Sequence, residues 1–307
     1  MSEVSQADTG EFAVERLLKN LDGLAIQVNR AVTRRDADSV HDLRVACRRF
    51  LQALLTFKPV LPSGKKQIRR RVKKILSLAG AVRDYDIALQ FLARKASPYA
   101  ARLCRRLGAE REKAEQPLLE YLKQWVGRQM SRRWRRELKA AEFSASEQPA
   151  RLESARRVLP RLAKSFFEHG DRAARLKSTA VEVHRFRLAA KKFRYTLELF
   201  TSAYPASSQW VRQTKSVQQV LGGVSDCESA RALFSRLGNH PKLDAYLKQR
   251  ARRKTAEFRR LWSSEFGALS PARQWPEIFE RPNAGQPARK PVGRSSAAQP
   301  RALAVHA

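Results

Sequence analysis

His41-Asp42-Leu43-Arg44-Val45-Ala46-Cys47-Arg48-Arg49-Phe50 and His184-Arg185-Phe186-Arg187-Leu188-Ala189-Ala190-Lys191-Lys192-Phe193 are two versions of one pattern, offset by 143 positions. The match runs on through Leu54 and Leu197, Phe57 and Phe200, and Pro62 and Pro205. One residue is then lost. At an offset of 142, Ile68 pairs with Trp210, Arg70 with Arg212, Lys73 with Lys215, Ile75 with Val217, Gly80 with Gly222, Val82 with Val224, Asp84 with Asp226 and Asp86 with Glu228. Self-similarity of this length marks a duplicated unit. The expected fold is all-α, with two duplicated four-helix-type bundles of long helices related by a pseudo-two-fold axis.

The spacing shows what each helix does. Leu43, Cys47, Phe50, Leu54 and Phe57 step by four and three residues, and Phe186, Ala190, Phe193, Leu197 and Phe200 repeat those steps. Such a stripe is the apolar seam of a helix in a bundle. His41, Arg44 and Arg48 fall within about 60° of one another around the helix, roughly 120° from the seam. His184, Arg187 and Lys191 repeat the arrangement, with Arg194 flanking it. The following helices have seams of their own, Ile68, Val72, Ile75, Ala79 and Val82 in one copy and Trp210, Thr214, Val217, Leu221 and Val224 in the other. Beside them sit Arg70 with Lys73, and Arg212 with Lys215.

Periodicity and proline positions place helices at about 12–33, 39–57, 65–82, 85–96, 99–115, 117–142, 150–169, 174–203, 207–222, 227–238 and 241–266. The folded part then spans 10–268, with halves 10–142 and 150–268, after a flexible N-terminus at 1–9. Residues 281–307 hold four prolines and five Lys or Arg but no acid or aromatic residue, the composition of a disordered tail.

Composition narrows the function. The 307 residues carry 62 Lys and Arg against 29 Asp and Glu, a net charge of +33, and 43% are hydrophobic. That much apolar sequence builds a core, so the chain is no disordered polycation. Its charge calls for a polyanion or an anionic surface as partner. From His41 to Arg83 there are twelve Lys or Arg and one acid, Asp42. Like charges three and four residues apart destabilise a helix, so a doubled basic face without interleaved acids reads as an anion-binding surface. Cys47, Cys104 and Cys227 are isolated in apolar patterns and read as buried hydrophobes, with no disulfide framework. No basic-then-apolar leader and no run of 18 apolar residues occurs, which points to a cytoplasmic chain with no membrane insertion.

An H-x-x-R-x-x-x-[RK]-[RK] helix followed by a basic helix ending in G-x-x-R-D-x-D, present twice, resembles the CHAD domain, the conserved histidine α-helical domain. The resemblance covers residues from about 10 to 268. It implies an all-helical fold of two bundles and binding of inorganic polyphosphate in a basic central groove; several members associate with polyphosphate granules in bacteria. By similarity His41, Arg44, Arg48 and Arg49 match the first basic helix motif, and His184, Arg187, Lys191, Lys192 and Arg194 the second. Arg70, Lys73, Arg212 and Lys215 match the neighbouring basic faces. The second turn departs from the pattern, with Ser225 where the first has Arg83.

Polyphosphate offers charge and spacing but no bases to read. Arginine forks and lysine points from four helices suit it, and released counterions would drive binding, as for nucleic acids. Other chemistries fit less well. His41 and His184 have arginines where a second metal ligand would stand; each either donates to a phosphate or a neighbouring acid, or is structural. Asp84, Asp86, Asp226 and Glu228 read as helix-capping or arginine-orienting groups, Asp84 and Asp226 as N-caps of the next helix. Glu110-Arg111-Glu112-Lys113 nears the E-x-E-x-K strand motif of CYTH triphosphatases, sometimes fused to this family, but has its lysine one place early in a helical context. No P-loop, G-x-S-x-G or H-E-x-x-H motif occurs. The expectation is a binding module, with no catalytic residue, metal or cofactor. The rival is nonspecific nucleic-acid binding, with Arg132-Arg133-Trp134-Arg135-Arg136 offering an aromatic among cations, although Trp125 and Trp134 share a helical period that suits a core. Membrane-surface binding is weaker, because the apolar seams are needed inside.

Overall fold

The computed structural model describes residues 7–61, 66–93, 98–140, 151–204 and 206–281. They form α1 (Ala7–Arg34), α2 (Ala37–Thr56), α3 (Lys66–Leu92), α4 (Pro98–Gly127), α5 (Met130–Lys139), α6 (Arg151–Ala174), α7 (Ala180–Leu199), α8 (Ser207–Leu237), α9 (Pro241–Phe266) and α10 (Trp275–Glu280), with no strand among the described residues. The packing partners repeat. α1 lies on α2 as α6 lies on α7, α2 on α3 as α7 on α8, α3 on α4 as α8 on α9, and α5 returns to α1 as α10 returns to α6. Between the halves, α2 packs on α7 and α3 on α8.

Local signals fix the start of both histidine helices. The Asp36 carboxylate caps α2 by accepting from the Ser39 amide at 2.7 Å. Thr179 and Glu182 form a reciprocal capping box on α7, with the Glu182 carboxylate accepting from the Thr179 amide at 2.7 Å. Both seams are buried as the spacing requires: Leu43, Cys47, Phe50, Leu54 and Phe57 in α2 and its end, and Phe186, Ala190, Phe193, Leu197 and Phe200 in α7 and its end.

Several boundaries differ from the sequence expectation. The expected breaks after Val82 and Gly222 do not exist. α3 runs from 66 to 92 and α8 from 207 to 237, so Asp84 and Asp226 lie mid-helix and cap nothing. The glycines at 80 and 222 weaken a helix by only about 1 kcal/mol each, and downstream burial of Ile87, Ala88 and Leu92, and of Cys227, Ala230 and Leu233, carries the helices through. α4 likewise runs through Pro117, and its end at Gly127 is followed by Gln129 in the left-handed region, φ 50°. The break expected between 169 and 174 lies further on: α6 runs to Ala174, and the Thr179 cap starts α7, which ends at Leu199. The chain also continues beyond 268 as an ordered strap. Trp275 and Phe279 of α10 are buried, with the Trp275 ring 5.8 Å from Trp210 and Phe279 5.3 Å from Tyr204.

The apolar interior does not divide by halves. One cluster takes in α1, α2, α5, α6, α7 and α10 with the C-terminal parts of α4 and α9 and the N-terminal parts of α3 and α8, ending on the last two at Val82 and Val224. A second begins at Ile87 and Cys227 and joins the C-terminal parts of α3 and α8 to the N-terminal parts of α4 and α9. The interval between them holds Arg83, Asp84, Asp86, Ser225 and Asp226, so a polar layer crosses the molecule where the two halves meet. Except for Ala7–Thr9, which lie in α1, and Arg281, the expected flexible N-terminus and basic tail fall outside the described residues.

Candidate anion-binding site

The polar layer is the place to look for function, because it brings cations from α2, α3 and α7 against one another. Arg44 and Arg48 project from α2 one turn apart, and Arg83 from α3. Arg187 and Lys191 project from α7. Burial, reinforced by their mutual charge, moves the protonation of Arg44, Arg187 and Lys191. Burial, then the charges of Arg48, Arg83 and Arg187, bring Arg44 down to about 10, with only Asp84 opposing. Burial and Arg48 also lower Arg187, against Asp226, Glu228 and Tyr195. Lys191 is affected most: burial and the charges of Arg48, Arg187 and Arg44 take its ammonium down to about 6.

Carboxylates do not balance this cluster. Asp226 faces Arg83, Arg187, Lys191 and His41, yet burial outweighs them and raises its acid. Asp84 is raised by burial too, against Arg44 and Arg236. Three acids, Asp84, Asp226 and Glu228, thus stand among four guanidiniums and Lys191. Arg83 Nη1 and Arg187 Nε are buried with no hydrogen-bond partner among the described residues. Buried polar groups are normally paired, and the cost of leaving them unpaired is relieved by an anion that accepts from several at once.

The side chains named by the sequence separate into three groups. Arg44, Arg48, Arg187 and Lys191 converge with His41, whose imidazole partial desolvation and Arg83 hold below its ordinary range. His184 and Lys192 are exposed on α7 at the edge of this group. Arg70 and Lys73 on α3, and Arg212 and Lys215 on α8, are exposed. Lys73 and Lys215 lie seven residues before Gly80 and Gly222, hence on the same helix face and roughly 10 Å along it. These four carry the basic stripe outward from the cluster. Arg49 and Arg194 turn away from it. Arg49 Nε donates to Glu198 Oε2 at 2.9 Å and Arg194 Nη1 to Glu198 Oε1 at 2.8 Å, and the buried Arg194 guanidinium lies over the Tyr195 ring at 4.5 Å. The structure places Arg49 and Arg194 in a structural ion pair rather than in the cluster.

Arg83 also belongs to the cluster, a residue to which the sequence pattern assigns no binding role. The signal was present: it stands three residues after Gly80, where one turn brings it back to the face Arg44 covers. Asp86 has a different job. Its carboxylate accepts from Arg111 Nε at 2.6 Å, and Arg111 in turn reaches Glu115, which also takes Arg35 Nη2 at 2.9 Å. That chain ties α3 to α4 and to the turn before α2. Lys113 pairs with Glu110 three residues away on the surface of α4, so this segment is helical and not a strand motif. Trp134 is 2% exposed and its ring centre lies 4.3 Å from that of Trp125, so it packs inside and offers no face to a nucleic-acid base. No described helix is long and apolar enough to cross a membrane.

Comparison with known proteins agrees with this fold. The family model described as CHAD domain matches residues 15–235. Among solved structures, the CHAD domain from the plant Ricinus communis is similar over 91% of this chain and 93% of its own, with TM-score 0.61 and 20% identity. PptA from Streptomyces chartreusis is similar over 83% of this chain and 99% of its own, with TM-score 0.62 and 17% identity. No curated protein matches the chain in sequence.

Proposed function

This chain belongs to the CHAD domain family, and from that premise we propose that it binds inorganic polyphosphate at the α2, α3, α7 and α8 junction. The carrying observation is the set Arg44, Arg48, Arg83, Arg187 and Lys191, held together against their own repulsion. A folded protein tolerates a lysine whose ammonium is driven to about 6 when a ligand restores the balance. A linear phosphate chain does so along its whole length: the guanidiniums fork onto its oxygens at the centre, and Arg70, Lys73, Arg212 and Lys215 continue the track. In the cell such a protein acts in the cytoplasm, at polyphosphate granules.

The protein acts as a binder and not as an enzyme. A phosphoryl-transfer site needs Mg²⁺ carboxylates facing the bound phosphates. Asp84 and Asp226 are raised toward the neutral acid by burial, the opposite of what a metal site requires.

Three measurements test this. Long-chain polyphosphate is competed against single-stranded and duplex DNA at moderate salt; clear preference for polyphosphate is expected, and equal affinity would sink the specific reading. Replacing Arg44, Arg48, Arg187 and Lys191 together by Gln should abolish binding with the helical content unchanged. Polyphosphate held with the protein and Mg²⁺ should stay intact, and release of orthophosphate would make it an enzyme.

A further inference from the structure

A cavity of about 370 Å³ opens beside the cation cluster, between the distal parts of α3, α8 and α9. Its walls include Ile87 and Phe91 of α3, Gly223 and Asp226 of α8, and Tyr246 and Arg250 of α9. The volume is that of a small-molecule pocket. Its lining differs in kind from the cluster. Phe91 and Tyr246 give flat apolar surface, and the Arg250 guanidinium lies 5.6 Å from the centre of the Phe91 ring. Gly223 contributes backbone, with the Lys254 chain packed where a Cβ would stand. A phosphate chain has no use for aromatic walls, and the Asp226 carboxylate on this side repels it.

Asp226 joins the two places. It lines the cavity, and it stands in the field of Arg83, Arg187 and Lys191. A ligand filling both would therefore have a flat, uncharged, aromatic end with hydroxyl or amine donors for Asp226, followed by a run of phosphates. We infer that this cavity receives the base and ribose of a nucleoside polyphosphate whose phosphates lie on the Arg83, Arg187 and Lys191 side of Asp226. The base is held between Phe91, Tyr246 and the Arg250 guanidinium, and the ribose hydroxyls donate to Asp226. This inference rests on the cluster being a phosphate site, as proposed above.

The experiment compares ATP with tripolyphosphate by titration calorimetry, without Mg²⁺, on the full chain. Charge alone favours the more highly charged tripolyphosphate. A seated base reverses that order, and ATP should bind at least about fivefold more tightly, the low end of the contribution of one stacked base. Tyr246→Ala, at a surface position, should bring ATP down to the level of tripolyphosphate while leaving tripolyphosphate and long-chain polyphosphate unchanged; Phe91→Ala should do the same, with helicity followed by circular dichroism. ATP binding no tighter than tripolyphosphate, or a preference that both variants leave intact, overturns the inference while polyphosphate binding stands. If ATP, tripolyphosphate and long-chain polyphosphate all fail to bind, the phosphate reading of the cluster falls, and this inference falls with it.

Discussion

Arg44 lies across Gly80: a Cβ built on that glycine would stand 2.7 Å from Arg44 Nη1, which donates to the Leu76 carbonyl of α3 at 3.4 Å. The duplicate position, Gly222, has nothing within 4 Å. The two glycines therefore make a paired test. Gly80→Ala gains helix propensity worth about 1 kcal/mol but displaces the guanidinium, the flexible end of a long side chain. Polyphosphate affinity should fall several-fold while the melting temperature holds or rises. Gly222→Ala should raise the melting temperature and leave affinity alone. Equal affinities in the two variants would mean that the placement of Arg44 against α3 is irrelevant to binding.

Adjacent residues Arg48 and Arg49 should behave as opposites. Arg48 is among the largest charges acting on Arg44, Arg187 and Lys191, whereas Arg49 is matched by Glu198. Arg48→Gln should weaken polyphosphate binding and reduce the salt slope of log affinity by about 0.7, the figure for one released counterion on a single strand. Arg49→Gln should leave both nearly unchanged. Arg194→Ala removes a buried partner of Glu198 and should lower stability by about 1–3 kcal/mol with little effect on the salt slope. A slope change for Arg49→Gln as large as for Arg48→Gln would place Arg49 on the phosphate after all.

How far the sequence carries can be judged at these same residues. The 3.6-residue period separates Arg48 from Phe50 and so predicts which side chains leave the seam. It cannot tell Arg48 from Arg49, since that depends on Glu198, 149 residues away. Gly80 and Gly222 with the acids after them read as turns because turn chemistry is local. The helices continue because Ile87 and Cys227 have a second apolar cluster to enter, a tertiary fact. The strap escaped for the same reason: residues 271–280 are short and rich in proline, and Trp275 becomes core only once Phe166, Phe193 and Trp210 surround it.

Asp171 holds that strap. Its carboxylate accepts from both terminal nitrogens of Arg273, at 2.8 and 2.6 Å, and from Trp262 Nε1 at 3.0 Å. Burial alone would raise its acid, but these bonds prevail and hold it below the ordinary range. A carboxyl lowered in the folded state stabilises fully above its unfolded value, and that contribution is lost as pH falls below about 4. Asp171→Ala should cost about 1 kcal/mol at pH 7, since solvent screens a carboxylate that is 45% exposed, and remove this part of the acid sensitivity. Termination after Ser270 should cost more, since it uncovers Trp210 and Phe193; a truncated chain as stable as the full one would show that the strap is not part of the folding unit.

Lys191 makes binding a proton-linked event. Burial and then Arg48, Arg187 and Arg44 bring its ammonium from the ordinary 10.5 to about 6, against Asp226. In the free protein at pH 7.5 the amine is therefore mostly neutral. A phosphate chain on the same guanidiniums cancels their charge and adds its own, so Lys191 takes a proton as the chain binds. Affinity should then weaken as pH rises from about 6 toward 9, by up to about tenfold per unit for one linked proton. Calorimetry in buffers of different ionisation enthalpy should register the uptake at pH 7.5–8. The free protein should move the other way: between about 6 and 10.5 the unfolded chain holds a proton that the folded one lacks, so stability rises with pH. Lys191→Met should raise stability most at the acid end of that window and abolish the uptake. His41, also lowered by partial desolvation and Arg83, is a second candidate for the linked proton, and His41→Gln separates it. Unchanged uptake in Lys191→Met at pH 8 would assign the linked proton to another group.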